Sequence, residues 1–270
     1  MPSPAVPVLT YHGYNIAGND YSNNDHVALA ADLAWLHAHD WSIVSLDDVV
    51  GHLFDGRGPE LPARPVAISF DDGTDLDWQD VEFGELGRQR GFFGILDDFR
   101  REQAVLVPVH ATTFVIASPD ARERLAAGAL QFGHGMGERW WRAAQTSGLM
   151  SIGNHSWDHR HPLIVPEAQG GGHFFGVDHP EAAEYQVVEA GRYIAERIGC
   201  WPSLFAYPWG QASDFLRQEF FPQQTARHRC RAAFGTEPGL IHSGAERWYL
   251  PRFVCGEHWS SPDELAGLLS

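Results

Sequence analysis

The chain has 270 residues, 44% hydrophobic and only 20% charged, a balance that supports a sizeable core and excludes a disordered polymer. With 19 Lys and Arg against 35 Asp and Glu its net charge is -16, so nothing general in its electrostatics draws it to nucleic acid or an anionic membrane, whereas a neutral or cationic partner such as a sugar or amino sugar is compatible. Cys200, Cys230 and Cys255 are odd in number, far apart and without CxxC spacing, which argues against a disulfide framework and a Cys-based metal site.

The N-terminus, MPSPAVPVLTYH, has no basic stretch followed by an apolar core, and no run approaches the ~20 apolar residues of a spanning helix; a cytoplasmic location is expected. Pro7 to Tyr11 reads as a strand. His26 to His39 places Val27, Leu29, Ala30, Leu33, Ala34 and Leu36 on a helical period. Ser42 to Leu46 predicts a short strand and Asp47 to Phe54 a short helix. Pro65 to Phe70 is apolar and rich in β-branched residues, as in a strand covered on both faces. Residues 91–110 do not fit the alternation.

Thr112 to Ala117 is the next strand, Glu138 to Ser147 a helix, and Leu149 to Gly153 a strand. Residues 165–180, with Gly170, Gly171 and Gly172, read as a long loop of the kind that forms lids or binding loops. Pro180 to Ile198 is the strongest helix, and Gly199 stops it. Strands follow at Ser203 to Tyr207, Ala232 to Gly235 and Tyr249 to Val254. Ser261 to Leu269 closes the chain as a helix with Ser261 as N-cap, Pro262 in the first turn and Glu264 three residues after the cap. No repeat or linker interrupts this order, so one domain over residues 1–270 is expected. Strands alternating with helices imply an α/β fold with parallel strands, and about seven such units favour a barrel over an open sheet.

Functional groups gather at the carboxyl ends of strands in such folds. Those ends here are Tyr11-His12, Asp71-Asp72-Gly73, GNHSWDH (Gly153 to His159) and AYPWG (Ala206 to Gly210). Adjacent carboxylates repel, and a divalent cation relieves the repulsion. One carboxylate can ligate while the other stays free as a base. His155 and His159, four apart, supply two imidazoles, which with a carboxylate make a three-ligand site open to water and substrate.

Together, SFDDG, GNHSWDH and FAYPWG resemble the polysaccharide deacetylase family, the NodB-homology or family 4 carbohydrate esterase group. The resemblance runs from Pro7 to Leu269. It is closest to the poly-N-acetylglucosamine deacetylase branch, where TEPG-like and LPR-like segments follow, here Thr236 to Gly239 and Leu250 to Arg252. It implies a distorted (β/α)7 barrel and one divalent metal. Asp71 would be the general base, and Asp72, His155 and His159 the metal ligands. Zinc suits the donor set, while cobalt, nickel or another ion is compatible with it.

The branch resembles a circular permutation, which puts the general acid at His12 in the YH motif. The late histidines, His242 and His258, lie off any clear strand end. The arginine that usually opens the third motif is missing before AYPWG, and Arg252 would replace it by pairing with Asp71. Trp209 stands where a tyrosine is usual. Its backbone N–H would serve the oxyanion, and its ring offers a face to a sugar or acyl group. The implied activity is removal of an acetyl group from an N-acetylated sugar or polysaccharide. The alternatives are an intracellular deacylase of a small-molecule or lipid-linked amide, and a barrel that binds glycans without turnover.

Overall fold

The computed structural model describes residues 4–103, 108–128 and 135–270. Its centre is an eight-stranded parallel sheet. Strands β1 (Val8–His12), β3 (Pro65–Asp71), β6 (Ala111–Val115), β7 (Met150–Asn154), β8 (Leu204–Ala206), β9 (Ala232–Phe234) and β10 (Phe253–Val254) run in the order β10-β1-β3-β6-β7-β8-β9. β2 (Ser42–Val44) pairs with the start of β3. The sheet curls until its ends meet. Leu250 bridges to Phe234 of β9, and three residues later Phe253 and Val254 pair with Leu9 and Thr10 of β1. This is the distorted (β/α)7 barrel of the NodB-homology type. A separate two-stranded ribbon, β4 (Val81–Glu82) with β5 (Arg88–Gln89), lies outside it.

Period-two alternation sorts the strand residues. Leu9, Tyr11, Ile68 and Phe70 face outward into a core shared with helices α1 (Asp25–Ala38), α3 (Phe92–Glu102), α5 (Trp141–Thr146), α7 (Ala190–Ile198) and α10 (Pro262–Leu268). Val8, Ala67, Phe114, Leu204 and Phe234 face inward, where α2 (Leu46–Leu53) contributes Leu46, Val49, Val50 and Leu53 to the same cluster. The inward rows of β1 and β3 continue upward in register: Val8 with Ala67, Thr10 with Ser69, His12 with Asp71. Hydrophobic alternation at the bottom of the barrel therefore decides which polar residues share its mouth.

Helices α1, α2 and α10 start on a capping side chain. Asn24 caps α1 by accepting from the N–H groups of His26 and Val27, Ser45 caps α2, and Ser261 caps α10 by accepting from Glu264 N–H. α6 (Pro180–Ala183) runs through a π-helical turn (Glu184–Glu189) into α7, which ends on left-handed Gly199 with φ 87°. Several expectations need correction. Within 91–110 lies α3, whose Phe92, Ile95, Leu96 and Phe99 form a buried face. A helix absent from the sequence reading, α4 (Pro119–Gly128), follows β6. The expected strand from Tyr249 shrinks to β10, because Pro251 has no N–H to pair. The 165–180 loop is tied down by Arg160, whose guanidinium donates to the carbonyls of Gln169, Gly170 and His173. Among the described residues no helix is long and apolar enough to cross a membrane.

Candidate active site

β3 delivers Asp71 to the mouth with its side chain inward, and the next two residues turn sharply. Asp72 has φ 73° and Gly73 φ 69°. A Cβ on Gly73 would stand 2.6 Å from Val115 Cγ1, so the turn requires glycine there, while aspartate is among the few residues that tolerate the left-handed region beside it. The turn swings Asp72 toward the loop after β7. There His155 Nδ1 lies 2.9 Å from the Ala206 carbonyl. A carbonyl only accepts, so the proton sits on Nδ1 and the Nε2 lone pair is free.

Asp72 Oδ1 lies 3.5 Å from His155 Nε2 and 3.5 Å from His159 Nε2. Both distances are too long for hydrogen bonds. They match the separation of two ligands on one tetrahedral ion: bonds of about 2.0–2.2 Å put ligand atoms roughly 3.3–3.6 Å apart. All three donor atoms fall within 4.8 Å of one another. Desolvation lowers the pKa of His155 to about 4 and holds that of His159 well below its ordinary range, so both imidazoles are neutral donors. Burial and the neighbouring charge of Asp71 raise Asp72 to about 7. Lone pairs converge beside a carboxyl whose charge is disfavoured by burial and by Asp71, and a small divalent cation fits this donor set.

Asp71 is under opposite influence. Burial alone would raise its pKa, but Arg252 holds it well below the usual carboxylate range. The guanidinium is bidentate, with Nη1 to Oδ1 at 2.7 Å and Nη2 to Oδ2 at 2.8 Å. Arg252 is 0% exposed and is itself fixed by Gly235 O at 2.9 Å and Ser69 Oγ at 3.2 Å. It arrives on the segment that closes the barrel.

His12 ends β1 as the register partner of Asp71. Its backbone N–H donates to Asp25 at 2.7 Å, and its Nδ1 is buried without a hydrogen-bond partner. Burial lowers its pKa and the charge of Asp71 raises it. Trp209, at φ 59° and 43% exposed, lies at the rim, its ring centroid 4.7 Å from His159 and stacked at 5.8 Å on His161.

The structure gathers His12, Asp71, Asp72, His155, His159 and Trp209 around one cleft of about 510 Å³, with Arg252 behind Asp71. His242 and His258 do not line it; their Nδ1 atoms accept from the N–H groups of Gly244 and Val254. Described residues of 91–110 and 165–180 do not line it either. Sequence reasoning missed Tyr14, His161 and Glu257 on the cleft, and an apolar wall of Ile116, Leu125 and Met136. Tyr14 and His161 each stand two residues beyond a histidine already singled out, which is the signal that was there to follow.

A family model described as polysaccharide deacetylase matches residues 58–220, more than half of the chain. The chain belongs to the polysaccharide deacetylase family. The matched span holds Asp71, Asp72, His155, His159 and Trp209 of this deacetylase-family chain, while His12 and Arg252 fall on either side of it. Solved structures share its fold. The Streptococcus pyogenes deacetylase PplD, in complex with acetate, has a TM-score of 0.67 at 16% identity over 99% of both chains. A de-N-acetylase from Aggregatibacter actinomycetemcomitans has a TM-score of 0.67 at 14% identity, covering 98% of this chain and 100% of that one. IcaB from Ammonifex degensii has a TM-score of 0.62 at 16% identity, covering 99% and 98%. No curated protein matches the sequence.

Proposed function

We propose that this chain is a metal-dependent hydrolase that removes the acetyl group from an N-acetylated sugar or polysaccharide, with residues 1–270 as one catalytic domain. The observation that carries the reading is the placement of Asp72 Oδ1 at 3.5 Å from both free imidazole nitrogens, beside a second carboxylate held ionised by a buried arginine. Asp72, His155 and His159 would hold the ion, and zinc suits two imidazoles and a carboxylate. When bound, it would polarise the acyl carbonyl and lower the pKa of a water.

The remaining work falls to the chain itself. Asp71 accepts the proton of the attacking water, because Arg252 keeps it ionised and aims both its oxygens. The Trp209 backbone N–H donates to the oxygen on which charge develops. His12 gives a proton to the departing amine, which is a poor leaving group without it. The products are acetate and a free amine. Ile116, Leu125 and Met136 offer an apolar wall to the acyl end of the substrate.

A second reading is favoured by the same wall. A cleft of about 510 Å³ exceeds what an acetyl group fills, so a larger acyl-amide, small-molecule or lipid-linked, also fits. The experiment is acetate release from N-acetylglucosamine oligomers by metal-loaded protein, with and without chelator, and with Asp71→Asn as control. Chelator-sensitive release that Asp71→Asn abolishes supports the proposal. Release indifferent to chelator contradicts it. Bound metal without acetate release turns the search to a panel of acyl-amides, and inactivity on all of them leaves a glycan-binding barrel.

A further inference from the structure

The loop that carries both imidazoles is strained, and part of what restrains it lies outside every motif of the family resemblance. Ser156, His159 and Arg160 all have positive φ, at 71°, 60° and 47°, and none is glycine. Such conformations cost about 1–3 kcal/mol each and persist only where the surroundings over-determine them. Part of the restraint is local. Asn154 Oδ1 accepts from Ser156 N–H at 2.9 Å, and Ser156 Oγ accepts from His159 N–H at 3.0 Å.

The N–H groups of Ala117 and Ser118 donate to the carbonyls of Ser156 and Trp157 at 3.0 and 2.7 Å, and a further restraint comes from the π-helical turn Glu184–Glu189. Gln186, 3% exposed, donates from Nε2 to Asp158 Oδ1 at 2.9 Å and accepts from Asp158 N–H at 3.4 Å. The same Asp158 Oδ1 accepts from Arg160 N–H at 2.9 Å. Both chain neighbours of His159 are therefore tied into one clamp. The adjacent Val187 carbonyl accepts from Asn154 Nδ2 at 2.9 Å, anchoring the loop's other end next to His155. A regular helix turns 100° per residue. The extra residue of the π turn lets Gln186 and Val187 address the loop while Ala190 and Ile194 keep their places in the core.

We infer that Gln186 is a positioning residue for the metal centre, and that the π-helical turn exists to present it. The inference rests on Asp72, His155 and His159 holding a metal, as proposed above. Gln186 touches neither metal nor substrate; it holds Asp158, whose carboxylate in turn holds Arg160 N–H, and so steadies the backbone that aims His159 Nε2.

The test compares wild type, Gln186→Leu, Gln186→Asn and His155→Ala in zinc affinity, by competition with a chromophoric chelator, and in the visible spectrum of the cobalt-substituted protein. Gln186→Leu removes both bonds to Asp158; Gln186→Asn keeps the amide but draws it back by one methylene, and it serves if the leucine variant does not fold. Losing a group bonded directly to a metal ligand typically weakens metal binding about 10–100-fold, and Gln186 acts one residue away through Asp158, so a loss of about 10-fold is the expectation. That loss in Gln186→Leu, a smaller one in Gln186→Asn and a changed cobalt spectrum in both are expected. Folded variants with wild-type zinc affinity and an unchanged cobalt spectrum overturn the inference alone, provided wild type binds zinc and His155→Ala does not. A wild type that binds no zinc overturns the metal reading and this inference with it.

Discussion

Asp71 and Asp72 are consecutive, line one cleft, and are driven in opposite directions by what each faces. Arg252 holds the first well below the usual carboxylate range against the pull of burial, while the second meets burial, lone pairs and the charge of its neighbour. Replacing Arg252 by Lys keeps the charge but loses the fork. That should lower kcat about 10²-fold or more, the range of a lost general base, while zinc binding survives; steady-state kinetics beside a zinc titration separate the two. Behind the turn, Asp77 is 0% exposed and accepts from Thr113 Oγ1 at 2.6 Å and Thr74 Oγ1 at 2.9 Å. Desolvation raises its pKa to about 8. Between the ordinary carboxylate value near 4 and about 8, the folded state keeps a proton that the unfolded chain has lost. This contribution to stability is fullest below about pH 4 and is lost as pH rises toward about 8. Asp77→Asn should flatten that slope, read as melting temperature against pH. At this scale the sequence was legible where residue type announces chemistry, as in the carboxylate and histidine clusters at strand ends. It was illegible where a common residue acts by position: Ile116, just past β6, Leu125 on α4, and Met136 look like any core residue until the fold brings them to the cleft.

Helices were readable to the extent that they follow one period and carry punctuation. Ser261-Pro262 announced α10, yet the same signature at Ser118-Pro119, where Ser118 Oγ accepts from Ala121 N–H at 3.2 Å, opens α4. That helix is short of large apolar residues, so periodicity gave no support. α3 had its pattern at Phe92, Ile95, Leu96 and Phe99, but Gly91, Gly94 and adjacent phenylalanines blurred it. The π turn was invisible, because a reading at 3.6 residues per turn runs straight through it. Gly199 shows the punctuation that did carry. Its φ of 87° belongs to glycine, and a Cβ there would meet nothing closer than Arg142 Nη2 at 3.5 Å, so backbone strain is the whole penalty of alanine. Gly199→Ala should cost about 1 kcal/mol, a fall of roughly 2–4 °C in melting temperature, with deacetylase activity unchanged at working temperature.

At the scale of the molecule, the closing segment and the proposed metal site lie on opposite sides of the barrel mouth. Leu250–Val254 joins β9 to β1 and carries Arg252 inward, so closing the barrel also sets Asp71, the proposed base; Arg252 and Asp71 are 181 residues apart, a pairing that spacing alone could not reveal. Across the mouth, Asp72 follows β3 and the two histidines follow β7, with β6 between them. An ion held by all three would tie together strand ends that are not neighbours in the sheet. It would bind only the folded chain, since the unfolded chain has no converged donor set, and so would stabilise by linkage: about 2.7 kcal/mol at a hundredfold excess over its dissociation constant. For a chain of this size that is a rise of roughly 5–10 °C in melting temperature. The barrel's cores do not depend on the ion, so the metal-free protein should keep its secondary structure by circular dichroism and melt earlier. Asp72→Asn should melt at one temperature with or without zinc. If zinc raises the melting point of Asp72→Asn as much as that of wild type, the ion sits somewhere other than between β3 and β7.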